Sequence, residues 1–401
     1  MMNYRFSIII PTRSRADVLK WSLKTCVMQE YDNLEIIVSD NFSEDDTKEV
    51  VASYKDGRIK YYNTGERMSM SHNWEFALSK ATGDYVTVLG DDDGFLPGAI
   101  VQINKLLNNT HADAICWHQS RYFWPNSPMF PHELRMIMRD RIVTLNALEN
   151  FRKVVNHQRH YSTTPWLYSG FVKKEVIQKV KEKSNGIFFH SMIPDVYSGL
   201  AIATQIKTYI YSTGPFSIAG NSSHSNGLSS ISSTEKDRKN FNVFLSENPI
   251  PFHPSLELIA SALPLLVAES ALQVFDLKLI TDKEYYPDLR RTLRVCFAEA
   301  LHKEETMMQR EISGLRKIAE KNNIDWKEIT GQLTAPTSMR KKVNSLKYNI
   351  RFGLMGKVIN GDKAGLKNIY DAAILHDKIW RSQSRFVFNM VRKLSEVVNG
   401  K

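Results

Sequence analysis

The 401-residue chain is poor in cysteine. Its 3 cysteines, Cys26, Cys116 and Cys296, are scattered and odd in number, and they lack metal-ligand spacing. That pattern argues against a disulfide framework or a cysteine zinc site and suits a reducing compartment. Long apolar runs are also missing. The best candidate, Leu258 to Ala268, falls well short of the roughly 20 residues a membrane span needs, and it reads as a buried helix. The N-terminus, MMNYRFSIII, runs directly into a strand, so no signal peptide is expected. No GxGxxG follows the first strand and no GxxxxGK[ST] occurs, which argues against a dinucleotide site and a standard P-loop.

What is present is a sizeable apolar fraction, 42%, enough for a large core and about two or three domains. The net charge is +10 and unevenly spread. Gly331 to Lys401 holds 14 Lys+Arg against 4 Asp+Glu, so the rest of the chain is neutral. A neutral body with a basic tail predicts an anionic partner: a membrane surface, an acidic protein or nucleic acid.

The first 100 residues alternate strand and helix. Strands are predicted at Phe6 to Ile10, Leu34 to Val38, Ile59 to Tyr62 and Tyr85 to Leu89. Helices are predicted at Ala16 to Met28, Asp45 to Tyr54 and Ser71 to Ala81. This order predicts a mostly parallel sheet flanked by helices, with ligands bound at the carboxyl ends of its strands. Three polar clusters fall at such ends: Pro11-Thr12-Arg13, Ser39-Asp40-Asn41 and Asp91-Asp92-Asp93. The last is the most informative. Three adjacent acids repel one another, so the cluster is either a solvated turn or a seat for a hard divalent cation.

SIIIPTRSR, EIIVSDNFSEDDT and ATGDYVTVLGDDDGFLPG, in that order and spacing, resemble the successive blocks of the family 2 glycosyltransferases, which have the GT-A fold. The resemblance covers about residues 5–110, and more weakly about residues 160–225. It implies a nucleotide-sugar donor, a UDP-sugar foremost, a divalent metal (Mn²⁺ or Mg²⁺) on a DxD-type motif, and inversion at the anomeric carbon. By this resemblance Pro11, Thr12, Arg13, Asp40, Arg58, Asn73 and Asp91 bind the donor nucleotide. Asp91, Asp92 and Asp93 hold the metal, with His224 as a further ligand. Asp195 is the base that deprotonates the acceptor hydroxyl, with His190 as the other candidate. Asp195 also suits a plain helix-capping role, and Asp40 and Asn41 a plain turn.

The chain is expected to divide at about residue 250. Residues 1–250 would form the GT-A catalytic domain, with a nucleotide-sugar half over about 1–110 and an acceptor half over about 111–250. Within the second half, Ser120 to Arg135 reads as an irregular aromatic loop, Val143 to His157 as a helix, and 213–233 as a flexible Ser/Gly/Asn-rich loop. Residues 251–401 would form a helical domain with a basic amphipathic tail. That tail, 340–398, suits an anionic membrane surface, or packing on the body or on a second subunit. No recognised nucleic-acid motif supports the third partner. The expected setting is the cytoplasm, at the inner face of the plasma membrane, with a glycan or lipid-linked acceptor. A nucleotidyltransferase and a non-catalytic sugar-nucleotide or glycan-binding scaffold are the rival readings.

Overall fold

Phe6, Ile8, Ile9 and Ile10 are completely buried, because the strand they form has helices on both faces. A computed structural model describes residues 2–223, 243, 246–331 and 356–382. In chain order its elements begin with β1 (Phe6–Thr12), α1 (Ala16–Val27), β2 (Leu34–Asp40), α2 (Thr47–Ser53), β3 (Ile59–Asn63), α3 (Met70–Lys80) and β4 (Tyr85–Val88). There follow β5 (Gly94–Phe95), α4 (Ala99–Thr110), β6 (Ala114–Trp117), β7 (Ser120–Phe123), β8 (Glu133–Ile137), β9 (Ile142–Asn146) and α5 (Ala147–Val155). Then come β10 (Gly170–Lys173), α6 (Lys174–Lys183), α7 (Pro194–Ala203), β11 (Thr208–Ser212) and β12 (Ser217–Asn221). The last described elements are α8 (Leu263–Asp276), α9 (Leu289–Ala300), α10 (Glu305–Lys321), α11 (Trp326–Thr330) and β13 (Gly356–Asn360), before helical residues 369–382.

Eight strands form one sheet in the order β3-β2-β1-β4-β10-β6-β11-β9. The β3-β2-β1-β4 half is parallel, as its alternation with helices requires. β10 enters antiparallel between β4 and β6, and β9 closes the far edge antiparallel to β11. One apolar cluster packs α3, α5, α6, α7 and α8 on one face, and another packs α1, α2 and α4 on the other. α8 to α11 share a third cluster, giving the expected helical C-terminal region.

The structure differs from the sequence reading in four places. Ser120 to Arg135 is not an irregular loop: β7 and β8 lie in it, and Tyr122 and Trp124 are core residues instead of free stacking surfaces. Val143 to His157 is part strand, because β9 alternates exposed and half-buried residues along a sheet edge before α5 begins. Ser217–Asn221, expected within a flexible loop, is β12, parallel to β7. Gly356–Asn360, expected to be helical, is β13, and it pairs antiparallel with β8. A second sheet, β13-β8-β7-β12-β5, results. Behind it, residues 369–382 pack on α1 through Ile369, Ala372 and Ala373. The rest of the basic tail, 332–355 and 383–401, lies outside the described residues.

Arg58 is not brought to the carboxyl edge of the sheet. It precedes β3, at the amino end of the parallel strands. Its guanidinium donates to the carbonyls of Val27, Gln29 and Tyr31 and pairs with Asp56 at 2.7 Å. It therefore ties the α1–β2 connection to β3. Arg58→Ala should cost about 1–3 kcal/mol in denaturant unfolding, from carbonyls left unsatisfied, while leaving nucleotide affinity unchanged. A variant with lost nucleotide binding and wild-type stability would contradict this placement.

Candidate active site

β4 ends at Val88, and the chain turns through Gly90 into the three acids. Asp91, Asp92 and Asp93 are only 3%, 5% and 0% exposed, so the cluster is not a solvated turn. Asp91 faces the β1–α1 turn, and Asp92 and Asp93 face β12 and the residue after it. Asp91 accepts from the Thr12 hydroxyl at 2.9 Å and from Arg15 Nη1 at 3.0 Å. Asp92 accepts from the Ser222 hydroxyl at 2.6 Å and the Ser222 N–H at 3.3 Å. Asp93 accepts from the Gly220 N–H at 2.7 Å through Oδ1, while its Oδ2 is buried without a hydrogen-bond partner. Two glycines permit this crowding. A Cβ on Gly220 would lie 1.8 Å from the Asp92 carbonyl oxygen, and one on Gly90 would meet the Tyr168 hydroxyl at 2.5 Å.

The electrostatics follow from burial. Asp93 is pushed up to about 8, by burial first and by the neighbouring Asp92 second. Asp92 is also raised by burial and by Asp91, with Arg15 and Ser222 pulling it back. Burial works against the Arg15 charge, but Asp91 and Asp92 outweigh it and raise that guanidinium. Among the described residues no three His, Cys, Asp or Glu side chains are gathered as a metal cage. An all-oxygen site of one or two carboxylates is nevertheless what Mg²⁺ takes when phosphates and water complete its shell. Asp91 has both oxygens engaged. Asp92, beside the unpartnered Asp93 Oδ2, is the part of the cluster that fits such an ion. His224 lies outside the described residues.

Other predicted residues gather at the same edge. Pro11 and Thr12 end β1 in register with Ser39 and Asp40 of β2. Asp40 is buried, accepting from the Ser43 N–H, the Tyr61 hydroxyl and Asn63. Asn73, on α3, accepts from the Ser39 hydroxyl at 2.6 Å. Arg13 reaches outward and pairs at 2.7 Å with Glu247, which Arg67 also contacts.

Asp195 stands in the first turn of α7, after Pro194. Burial pushes its carboxyl up to about 6, against the pull of the Val196 N–H. Its charge reaches two half-buried phenols, Tyr161 and Tyr168. Tyr168 is raised chiefly by burial, with Asp93, Asp92 and Asp195 adding to it. One phenol is thus within electrostatic reach of both acid groups. It belongs to an aromatic row in which Tyr168 stacks on Trp74 and packs against Trp166, and Trp166 meets Tyr161 edge-on. His190 instead turns to the carbonyls of Ser184 and Ile187. Sequence reasoning missed Arg15, Tyr168, Gly220 and Ser222. Arg15 lies inside the first quoted block, two residues beyond Arg13. Ser222 carries no signal of its own, since only the parallel pairing of β12 with β7 delivers it to Asp92.

Residues 7–174 match the family model described as Glycosyl transferase family 2. A Campylobacter jejuni protein named GalNAc(5)-diNAcBac-PP-undecaprenol beta-1,3-glucosyltransferase is 39% identical over 111 residues, 27% of this chain and 36% of that protein. The Escherichia coli UDP-Glc:alpha-D-GlcNAc-diphosphoundecaprenol beta-1,3-glucosyltransferase WfgD is 29% identical over 110 residues, 27% of this chain and 44% of that one. The chain therefore spans less than half the length of either relative. Among solved structures, Staphylococcus aureus TarS 1–349 aligns over 82% of this chain and 93% of that one, at 15% identity and a TM-score of 0.44. The acids buried at the end of β4 and the strand order around them lie within the stretch, residues 7–174, that is similar to glycosyl transferase family 2.

Proposed function

We propose that the chain is a metal-dependent, inverting glycosyltransferase. It moves a sugar from a nucleoside-diphosphate donor, a UDP-sugar foremost, to a hydroxyl of a glycan or lipid-linked acceptor in surface polysaccharide synthesis. The observation that carries this reading is the pairing of two acid groups about one tyrosine. The buried cluster ends β4, Asp195, raised to about 6, starts α7, and the charges of both act on Tyr168. The names of the Campylobacter and Escherichia relatives, which act on undecaprenol-linked diphosphates, support the acceptor class.

Thr12, Asp40 and Asn73 bind and orient the nucleotide at the carboxyl edge. Arg15 anchors Asp91 there through their 3.0 Å pair. Asp92 and Asp93 would hold a divalent ion, which when bound neutralises charge growing on the leaving diphosphate. Asp195 removes the proton from the attacking hydroxyl. A carboxyl near 6 is mostly ionised at neutral pH, yet it is a stronger base than an ordinary aspartate. The aromatic row from Tyr161 to Trp74 excludes water around it.

Two further parts of the reading rest on the tail and on the division of the chain. No described helix is long and apolar enough to cross a membrane. Peripheral contact through the basic residues of 340–398 would bring the site to a lipid-linked acceptor. Residue 250 would separate a catalytic domain from a helical one, with β13 returning from the second to the first.

Asp195→Asn should lower turnover about 10²–10⁴-fold, the usual contribution of a general base, with donor affinity nearly unchanged. Wild-type turnover in that variant would rule out the assignment. In the wild type, kcat/KM should fall as pH drops through about 6, because protonation removes the base. An acid limb that persists unshifted in a slower Asp195→Asn enzyme would have to belong to another group.

Nucleoside diphosphates and nucleotide sugars with Mn²⁺ should raise the melting temperature of the protein, and Asp92→Ala should abolish the metal-dependent part. A shift with triphosphates alone would favour the nucleotidyltransferase. Donor binding without any turnover would favour the scaffold.

A further inference from the structure

The first turn of α7 has an unusual start. Its N-cap is Ile193, which has no side chain able to accept from the exposed N–H groups of the turn. The Val196 N–H, from which the Asp195 carboxylate accepts, fixes its direction only in part. Pro194 sets one backbone angle. A further restraint comes from Ser191. Its hydroxyl accepts from the Ile193 N–H at 3.3 Å, and its carbonyl accepts from the Ser71 hydroxyl of α3 at 2.7 Å.

Ser191 is itself held from outside the catalytic half. Its hydroxyl donates at 2.6 Å to Glu269, on α8 of the helical C-terminal region. Glu269 is completely buried. Its other oxygen accepts from Gln273 Nε2 at 2.8 Å, and no lysine or arginine pairs with it among the described residues. A buried carboxylate with no counter-charge is costly, and it is retained without benefit to stability unless it specifies an arrangement. Here the arrangement it specifies is the path of residues 191–193 into α7. The same segment is pinned one step earlier by Glu75 of α3, which accepts from the Phe188 and Phe189 N–H groups at 2.8 and 3.1 Å.

We propose that Glu269 is a positioning residue for Asp195, acting from the C-terminal helical region through Ser191 on the start of α7. The inference rests on Asp195 being the base. It gives the helical region a part in the chemistry that its position in the sequence does not suggest. A buried acid with raised affinity for a proton can also donate to Ser191, so glutamine, which offers both a donor and an acceptor, should replace it. The groups facing Glu269 are the side chains of Ser191, Gln273 and Ser270 and the backbone of His253, with the buried Tyr197 of α7 within reach of its charge.

The test is steady-state kinetics of the full chain with an active donor–acceptor pair. Glu269→Ala should lower kcat about 10- to 100-fold, the scale of a misplaced catalytic group, with the donor KM unchanged. Its acid limb should move below the wild-type value of about 6, because a looser first turn admits water to Asp195. Glu269→Gln should restore both. Ser191→Ala breaks the same link without touching Glu269 and should repeat the kcat loss, which covers the case of a Glu269→Ala protein that does not fold. A folded Glu269→Ala or Ser191→Ala enzyme with wild-type kcat overturns the proposal alone, if Asp195→Asn is inactive. Wild-type turnover in Asp195→Asn overturns it together with the base assignment. A kcat loss with no shift of the acid limb, unrescued by glutamine, assigns Glu269 to general stability and also overturns it.

Discussion

The burial of three consecutive carboxylates at the end of β4 is the constraint to which the site answers. Three acids cannot share a dry loop unless each is given its own surroundings. Asp91 receives a guanidinium and a hydroxyl from the β1–α1 turn. Asp92 and Asp93 receive a hydroxyl and N–H groups from β12 and the residue after it. The cluster thereby joins the first turn of the fold to a strand more than a hundred residues later. It also explains why the backbone there must be glycine, since no side chain fits between β12 and the acid loop.

A second sheet makes that delivery possible. β12 could not approach Asp92 unless β5 and β7 held it on either side, and β7 is backed by β8 and β13. The C-terminal part of the chain thus supports both the acid loop and the start of α7. Ile369 packs against Gly94, immediately after Asp93, and Glu269 reaches the segment ahead of Asp195. Both acid groups depend on contacts made by residues far along the chain.

The parallel half of the sheet was legible because its strands are continuous apolar runs between polar turns. Phe6–Ile10 and Leu34–Val38 are buried on both faces, so no alternation confuses them with helix. The acid triplet was legible because like charges at a strand end demand an explanation. What was not legible depends on partners distant in sequence. β7 and β8 are short and separated by a proline-containing loop, and only pairing with β12 and β13 makes them strands. β9 flows into α5 without a break, and a run of that length fits either period. Arg58 looks the same in sequence whether it reads a nucleotide or ties down carbonyls. Arg15 and Ser222 became visible as site residues only through their distances to Asp91 and Asp92.

The pairing of β8 with β13 has a bearing on how the protein is made. About 220 residues separate the two strands, so on the ribosome β8 emerges long before its partner exists. Until then one edge of β8 is a row of unpaired N–H and C=O groups, the usual template for association between chains. The loop that must close is long, but closure entropy grows only slowly with length, so the cost falls on the rate and hardly at all on the final stability. The acid loop, which leans on that sheet, therefore gains the last of its backing only once residues 356–360 have been made. A nascent chain carries its central parallel strands well before it carries an organised site.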